Sequence, residues 1–290
     1  MSQKPHNFNA GPSILPNEIF KKTSDAILDL NGSGLSILEI SHRSNDFKDI
    51  LSEARELVLN IANLDSNDYS TLFLQGGAST QFLMIAYNFL NSTAGYINTG
   101  AWSAKAMTEA KNFGNVVEIA SSKDKNYNYI PKEYNITDNL DYVHLTTNNT
   151  IYGTQFNFIP NINNSIIADM SSDIFSRDID YSVLDLFYAG AQKNLGPAGT
   201  TLVVIKKKIL ERIKREVPSM LSYKVHTDKD SSFNTPPVFS IYACLLNLRE
   251  IKNKGIKNIE LENNNKASAL YNEIDRNQYF SGFSDTEDRS

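Results

Sequence analysis

Residues 186–199 read Leu186-Phe187-Tyr188-Ala189-Gly190-Ala191-Gln192-Lys193-Asn194-Leu195-Gly196-Pro197-Ala198-Gly199. An apolar run of strand length leads into small residues, one lysine, and a turn rich in Gly and Pro. A second apolar run, Thr201-Leu202-Val203-Val204-Ile205, follows at once. Apolar runs without polar alternation are strands buried on both faces, as in a parallel sheet covered by helices. A lone lysine is ordinarily a solvated surface group. Lys193 is enclosed between two such strands, and loss of water lowers an amine's pKa until it can act as a nucleophile.

The same texture recurs outward from this stretch. Candidate strands fall at 71–74, 96–98, 116–119, 142–145, 165–168, 186–189 and 201–205. Phe47, Ile50, Leu51, Ala54, Leu57, Val58 and Ile61 recur at helical spacing after Ser44, a residue suited to an N-cap. Further helices are expected over 80–90, 103–112, 206–216, 239–254 and 256–275, with a loop-rich excursion at 217–237. Residues 277–290 are polar with a few aromatics and no clear periodicity. The alternation predicts an α/β fold with a largely parallel sheet.

Composition excludes several classes. A hydrophobic fraction of 41% with 21% charged residues belongs to a globular chain and argues against disorder. A formal charge of −5 argues against nucleic acid as the main partner, since phosphate binding needs clustered surplus Lys and Arg. No stretch approaches the ~20 apolar residues of a membrane span. Residues 1–10 lack the apolar core of a secretory signal, so a cytoplasmic location is expected. Cys244 is the sole cysteine and lies in an apolar run, where a thiol is usually a small core hydrophobe.

Two further motifs carry chemistry. Leu74-Gln75-Gly76-Gly77-Ala78-Ser79-Thr80 ends a strand, turns on two glycines and opens a helix. A helix start presents free backbone N–H groups and the positive end of a dipole, which suits a phosphate, although a plain hydroxyl-capped turn is common. Ala168-Asp169-Met170-Ser171-Ser172 places a carboxylate where a strand ends, at the edge where open α/β sheets bind ligands. Taken singly, Asp169 reads as a helix cap. Together, a phosphate-binding helix start, a carboxylate able to keep a heterocyclic nitrogen protonated and a desolvated lysine are the parts of a pyridoxal 5'-phosphate site. Trp102, after Asn98-Thr99-Gly100-Ala101, could stack on the pyridine; a core tryptophan is the ordinary alternative.

With these residues in view, the sequence resembles the phosphoserine aminotransferases, fold-type I enzymes of the class V group. The likeness runs in family order through Asn7-Phe8-Asn9-Ala10-Gly11-Pro12, Glu39-Ile40-Ser41-His42-Arg43-Ser44 and Gly76-Gly77-Ala78-Ser79. It continues through Asn98-Thr99-Gly100-Ala101-Trp102, Asn149-Thr150-Ile151-Tyr152-Gly153, the Asp169 and Lys193 motifs, and Phe233-Asn234-Thr235-Pro236-Pro237. The resemblance implies a large domain over 16–255, a small domain beginning at 256–290, and an N-terminal segment, 1–15, packing with the small domain. It implies that Lys193 holds pyridoxal 5'-phosphate covalently and moves the proton, with Asp169 under the pyridine nitrogen and Trp102 stacked on the ring. Thr150 would hydrogen-bond the phenolic oxygen. Ala78, Ser79 and Gln192 would hold the phosphate, completed by Asn234 and Thr235 of the partner subunit in a homodimer with shared active sites. His42 and Arg43 would bind the substrate's distal anion. No metal belongs to the expected site.

The implied reaction moves an amino group between L-glutamate and 3-phosphohydroxypyruvate, giving O-phospho-L-serine and 2-oxoglutarate in serine biosynthesis. Some bacterial members also serve pyridoxine biosynthesis. In two respects the chain departs from its relatives. Some carry arginine where this chain has Ser79, and the family continues past the position matching Ser290 with an arginine that grips the substrate α-carboxylate. A chain that binds the cofactor without turnover is therefore an alternative. Another class V aminotransferase or a cysteine desulfurase is a second, although Cys244 in an apolar helix is poorly placed for the latter.

Overall fold

The computed structural model describes residues 5–136 and 139–290. The elements are α1 (Asn17–Leu28), α2 (Asn45–Ala62), β1 (Tyr69–Leu74), α3 (Gly77–Phe89), β2 (Thr93–Asn98), α4 (Ala101–Ala110), β3 (Asn115–Ser121) and β4 (Val143–Thr146). There follow β5 (Asn148–Asn149), β6 (Thr154–Gln155), β7 (Ile166–Asp169), β8 (Leu186–Gly190), β9 (Thr201–Lys206), α5 (Tyr223–Asp228), α6 (Val238–Lys254) and α7 (Ile256–Arg276). Short 3-10 turns connect several of them.

All seven strands expected from the sequence join one sheet of order β1-β9-β8-β7-β4-β2-β3. β8, β7, β4, β2 and β3 pair in parallel, while β9 runs antiparallel to both its neighbours. The apolar runs are explained by what covers them. Phe73, Phe187, Ala189, Leu202 and Val204 point to one layer, with α2 and α6. Leu72, Leu74, Leu186, Tyr188, Val203 and Ile205 point to the other, with α3 and α4. Successive side chains alternate between faces, and both faces are dry. The expected α/β fold with a mostly parallel sheet is the observed one.

Helix α2 begins where its cap residue stands: the Ser44 hydroxyl accepts from the Phe47 N–H at 3.4 Å. Its apolar stripe lies on α6. Two stretches differ from expectation. The charged run 206–216 forms only a 3-10 turn, Lys207–Arg212, instead of a helix. Its arginines are spent on backbone elsewhere: Arg212 donates to the Asp141 carbonyl and Arg215 to those of Leu90 and Phe113. Side chains that cap other elements hold the chain extended, and helix propensity yields to that. The short helix α1 has no counterpart in the sequence reading, because only Ile19, Thr23 and Ala26 of it are buried.

Helix α7 has no buried residue, and Leu261 and Leu270 are exposed. The chain then returns to the sheet domain. The buried Asp288 carboxylate accepts from the Ile130 N–H at 2.8 Å and pairs with Lys132 at 2.5 Å. Arg289 bridges to Thr154 and forks onto Asp275 at 2.6 and 2.8 Å. At the other end, Ser13 N–H donates to the Gln192 carbonyl at 2.9 Å, laying the N-terminal segment over the lysine loop. No helix among the described residues is long and apolar enough to cross a membrane.

Candidate active site

The carboxyl ends of β4, β7 and β8 and the start of α3 surround a cavity of about 240 Å³. Gly11, Gly77, Ala78, Ser79, Trp102, Thr146, Asn148, Asp169, Ser171, Ser172, Gln192 and Lys193 line it. This is the strand-end position at which open α/β sheets take ligands.

Lys193 sits just past β8 in a loop pinned from several sides. Leu195 and Gly196 N–H groups both return to the Ala191 carbonyl, at 3.1 and 2.7 Å. Asn247 of α6 donates to the carbonyls of Asn194 and Leu195 at 3.1 and 2.9 Å. Gly196 is required by contact, because a Cβ there would lie 2.5 Å from the Cys244 sulfur. From this platform the lysine stem passes beneath Gly11, whose Cβ, if present, would lie 2.8 Å from Lys193 Cγ. Lys193 Nζ donates to Thr150 Oγ1 at 3.3 Å and stands 5.5 Å from the Trp102 ring centre. Burial pushes its amine below the usual lysine value, against the opposing pull of Asp169 and Asp173.

Asp169 ends β7 and is 4% exposed. Its Oδ1 accepts from the Ser171 N–H at 2.9 Å. Burial raises the carboxyl above the ordinary range, while the Ser171 hydroxyl and N–H, then the Lys193 charge, oppose that rise. Nearby Asp173 is also buried; it accepts from Thr147 Oγ1 at 2.5 Å and pairs with Arg177 at 3.3 Å.

Across the cavity, Gly76 (φ +94°) and Gly77 (φ +66°) take left-handed backbone to turn β1 into α3. A Cβ on Gly76 would strike Thr80 Oγ1 at 2.0 Å. The turn aims the N-terminus of a 13-residue helix at the cavity, with Ala78 and Ser79 on its rim. Trp102 is set by the start of α4, where Ser103 Oγ accepts from the N–H groups of Thr99 and Gly100, each at 3.0 Å.

The lining fits pyridoxal phosphate. Thr146 Oγ1, Asn148 Oδ1 and Trp102 Nε1 are buried with no hydrogen-bond partner among the described residues. Such atoms carry a penalty unless a polar ligand or water meets them. A helix start suited to phosphate, an aromatic face, a buried carboxylate and a desolvated amine complete the set.

The structure therefore brings Lys193, Asp169, Trp102, Ala78, Ser79 and Gln192 around one cavity, with Thr150 joined through the lysine. Four other expected residues lie elsewhere. His42 and Thr235 line a separate surface cavity of about 390 Å³, together with Leu38 and Pro236. Arg43 is exposed. Asn234 precedes Thr235, whose carbonyl accepts from Gln75 at 2.7 Å. Sequence reasoning missed Gly11, Thr146, Asn148 and Asn247. Gly11 lay in a quoted motif without a role, and Thr146 and Asn148 follow an expected strand, where polar residues deserve suspicion. Cys244 is fully buried and its thiol is pushed up, so it cannot serve as the nucleophile of a desulfurase.

Comparison with known proteins shows the family and the fold. The class-V aminotransferase family model matches residues 6–290. A phosphoserine aminotransferase of Flavobacterium psychrophilum is 56% identical over 99% of this chain and 82% of its own length. A solved structure described as radiation damage of the Schiff base in phosphoserine aminotransferase superposes with a TM-score of 0.96 at 42% identity, covering 99% of this chain and 82% of that one. The pyridoxal-phosphate-bound phosphoserine aminotransferase of Trichomonas vaginalis gives 0.94 at 31% identity, covering 99% and 82%. The chain belongs to the class-V aminotransferases, in the phosphoserine aminotransferase branch of that family.

Proposed function

We propose that this chain transfers an amino group between L-glutamate and 3-phosphohydroxypyruvate, giving O-phospho-L-serine and 2-oxoglutarate, with pyridoxal 5'-phosphate held in the Lys193 cavity. The observation that carries the reading is a desolvated lysine and a buried carboxylate lining one cavity at a helix start. When bound, the cofactor supplies an electron sink for the carbanion formed at the substrate Cα. Lys193 would hold it covalently, and as a free amine would take and return the proton at that carbon; the lowered pKa favours the neutral form this needs. Asp169 accepts a charge-assisted hydrogen bond from the ring nitrogen. Ala78 and Ser79 N–H groups with Gln192 would hold the phosphate, and Trp102 would cover the ring.

His42 and Arg43 take the distal anion of the substrate. His42 shares its cavity with Thr235 instead of with Lys193, which favours a homodimer in which this face meets the partner's site. There Asn234 and Thr235 of the partner subunit complete the phosphate contacts. Residues 16–255 act as the large domain and 256–290 as the beginning of the small one.

The test is the visible spectrum of the protein with pyridoxal phosphate, before and after L-glutamate. A lysine-bound band that glutamate bleaches, and that 3-phosphohydroxypyruvate then restores, is expected. A band restored by pyruvate or glyoxylate but not by the phosphorylated keto acid would replace this substrate assignment with another.

A further inference from the structure

Beside Asp169, outside the lining of the cavity, the sheet carries a line of buried polar rings that the proposed chemistry leaves unused. Tyr188 is the register partner of Asp169 on the adjacent strand β8. Its hydroxyl lies 2.9 Å from His144 Nε2 on β4. His144 stacks on Tyr96 of β2 at 5.0 Å, and the Tyr96 hydroxyl meets that of Tyr142 at 2.9 Å. None of these four side chains is more than 1% exposed. Phenylalanine and leucine would fill the same space without polar atoms to satisfy, so four adjacent polar rings call for a reason beyond packing.

The orphan atom fixes the direction of the line. His144 Nδ1 has no partner among the described residues. If Tyr188 donated to Nε2, the proton of the neutral ring would sit on Nδ1 as a buried unpaired donor, and Tyr188 would have nothing left to give Asp169. With the proton on Nε2, only a lone pair is left over. The Tyr188 O–H is then free to turn to the carboxylate, whose negative charge acts on this phenol. The titratable groups facing the pair are Asp169 from β7, Tyr96 and Tyr142 from β2 and the loop before β4, and Tyr223 from α5; burial alone perturbs His144.

We propose that His144 and Tyr188 are positioning residues for Asp169: His144 Nε2–H donates to Tyr188 Oη, and Tyr188 O–H donates to the carboxylate, holding it ionised and aimed at the ring nitrogen. The inference rests on the Asp169 role proposed above. Burial, joined by the negative charge of Asp173, disfavours the charge on Asp169, and Ser171 supplies donors from its own strand end only. A donor from the neighbouring strand, itself polarised by the imidazole, keeps the group anionic where a lone buried carboxyl would take up a proton.

The test measures pyridoxal phosphate affinity across pH by quenching of Trp102, the sole tryptophan, with thermal stability of the apo-protein alongside. Tyr188→Phe keeps the ring and removes the donor. Asp169 in that variant then protonates at higher pH, so the acid limb of cofactor binding moves up by about one pH unit, the scale of one hydrogen bond to a charged group. His144→Leu shifts it the same way. His144→Gln, whose amide nitrogen can replace Nε2–H, returns it toward the parent. A uniform loss of affinity with an unmoved acid limb, or a limb that His144→Gln leaves shifted as far as His144→Leu, would overturn the relay. Asp169→Asn separates the premises. If it abolishes the acid limb while Tyr188→Phe leaves it in place, the relay fails and the Asp169 role stands; if it too leaves binding and limb unchanged, the Asp169 role fails and takes the relay with it.

Discussion

Lys193 and Asp169 are held in states that water would not choose, and the protein maintains both at some expense in stability. For the lysine, Lys193→Ala should abolish covalent attachment of the cofactor with the fold intact, checked by borohydride reduction and peptide mass mapping. A reduced adduct at another single lysine would remove Lys193 from its role. For Asp169 the sign follows from the raised carboxyl. Above the folded-state pKa the buried group is ionised at a cost, and stability falls as pH rises from the ordinary carboxylate range, about 4, through that value. Asp169→Asn should therefore raise the urea midpoint of the apo-protein at pH 7, the gain vanishing on acidification toward pH 4, while turnover drops roughly a hundredfold or more. An unchanged or lower midpoint at pH 7 would contradict the desolvation account. Both residues were legible because each stands at the end of an apolar run. Gly11 was not, since its use is to let the lysine stem pass, and the two are brought together only by folding.

At the scale of elements, the lysine loop depends on α6. Asn247 clamps two of its carbonyls, and Gly196 lies against Cys244 with no room for a methyl group. Gly196→Ala should destabilise the protein by about 1–3 kcal/mol through overpacking. Adding Cys244→Ala should recover part of that loss, because the next nearest atoms to the new Cβ stand 3.4 Å away or more. Additive losses in urea denaturation of the single and double variants would mean the clash is not with the sulfur. The core strands and α2 were readable from periodicity, whereas 206–216 misled. Its charged residues suit a helix locally, yet Arg212 and Arg215 are anchored to carbonyls of other loops, information no local window contains.

On the scale of the whole molecule, apolar surface gathers near residues expected to serve a second subunit. Leu28, Leu35 and Leu38 are 79%, 50% and 63% exposed, and Leu38 lines the cavity that holds His42 and Thr235. Exposed apolar surface of this kind marks an interaction face. Leu38→Asp should break the proposed homodimer into monomers in light scattering and weaken pyridoxal phosphate binding, although Leu38 does not line the Lys193 cavity. A monomer with undiminished affinity would argue against a shared site.

Read alone, the sequence determined the α/β class, the seven strands and the family, and it singled out the lysine and carboxylate that come to line one cavity. Each depends on short-range pattern: apolar runs, Gly-rich turns and motifs that keep their spacing. Only the tertiary structure decided which residues converge. It placed Thr146 and Asn148 on the cavity wall, set Tyr188 and His144 beside Asp169, and sent His42 and Thr235 to a different face. The physical reason is that a strand's sequence reveals that it is buried, whereas the neighbours of each side chain depend on strand order and register, which arise from packing distant segments together.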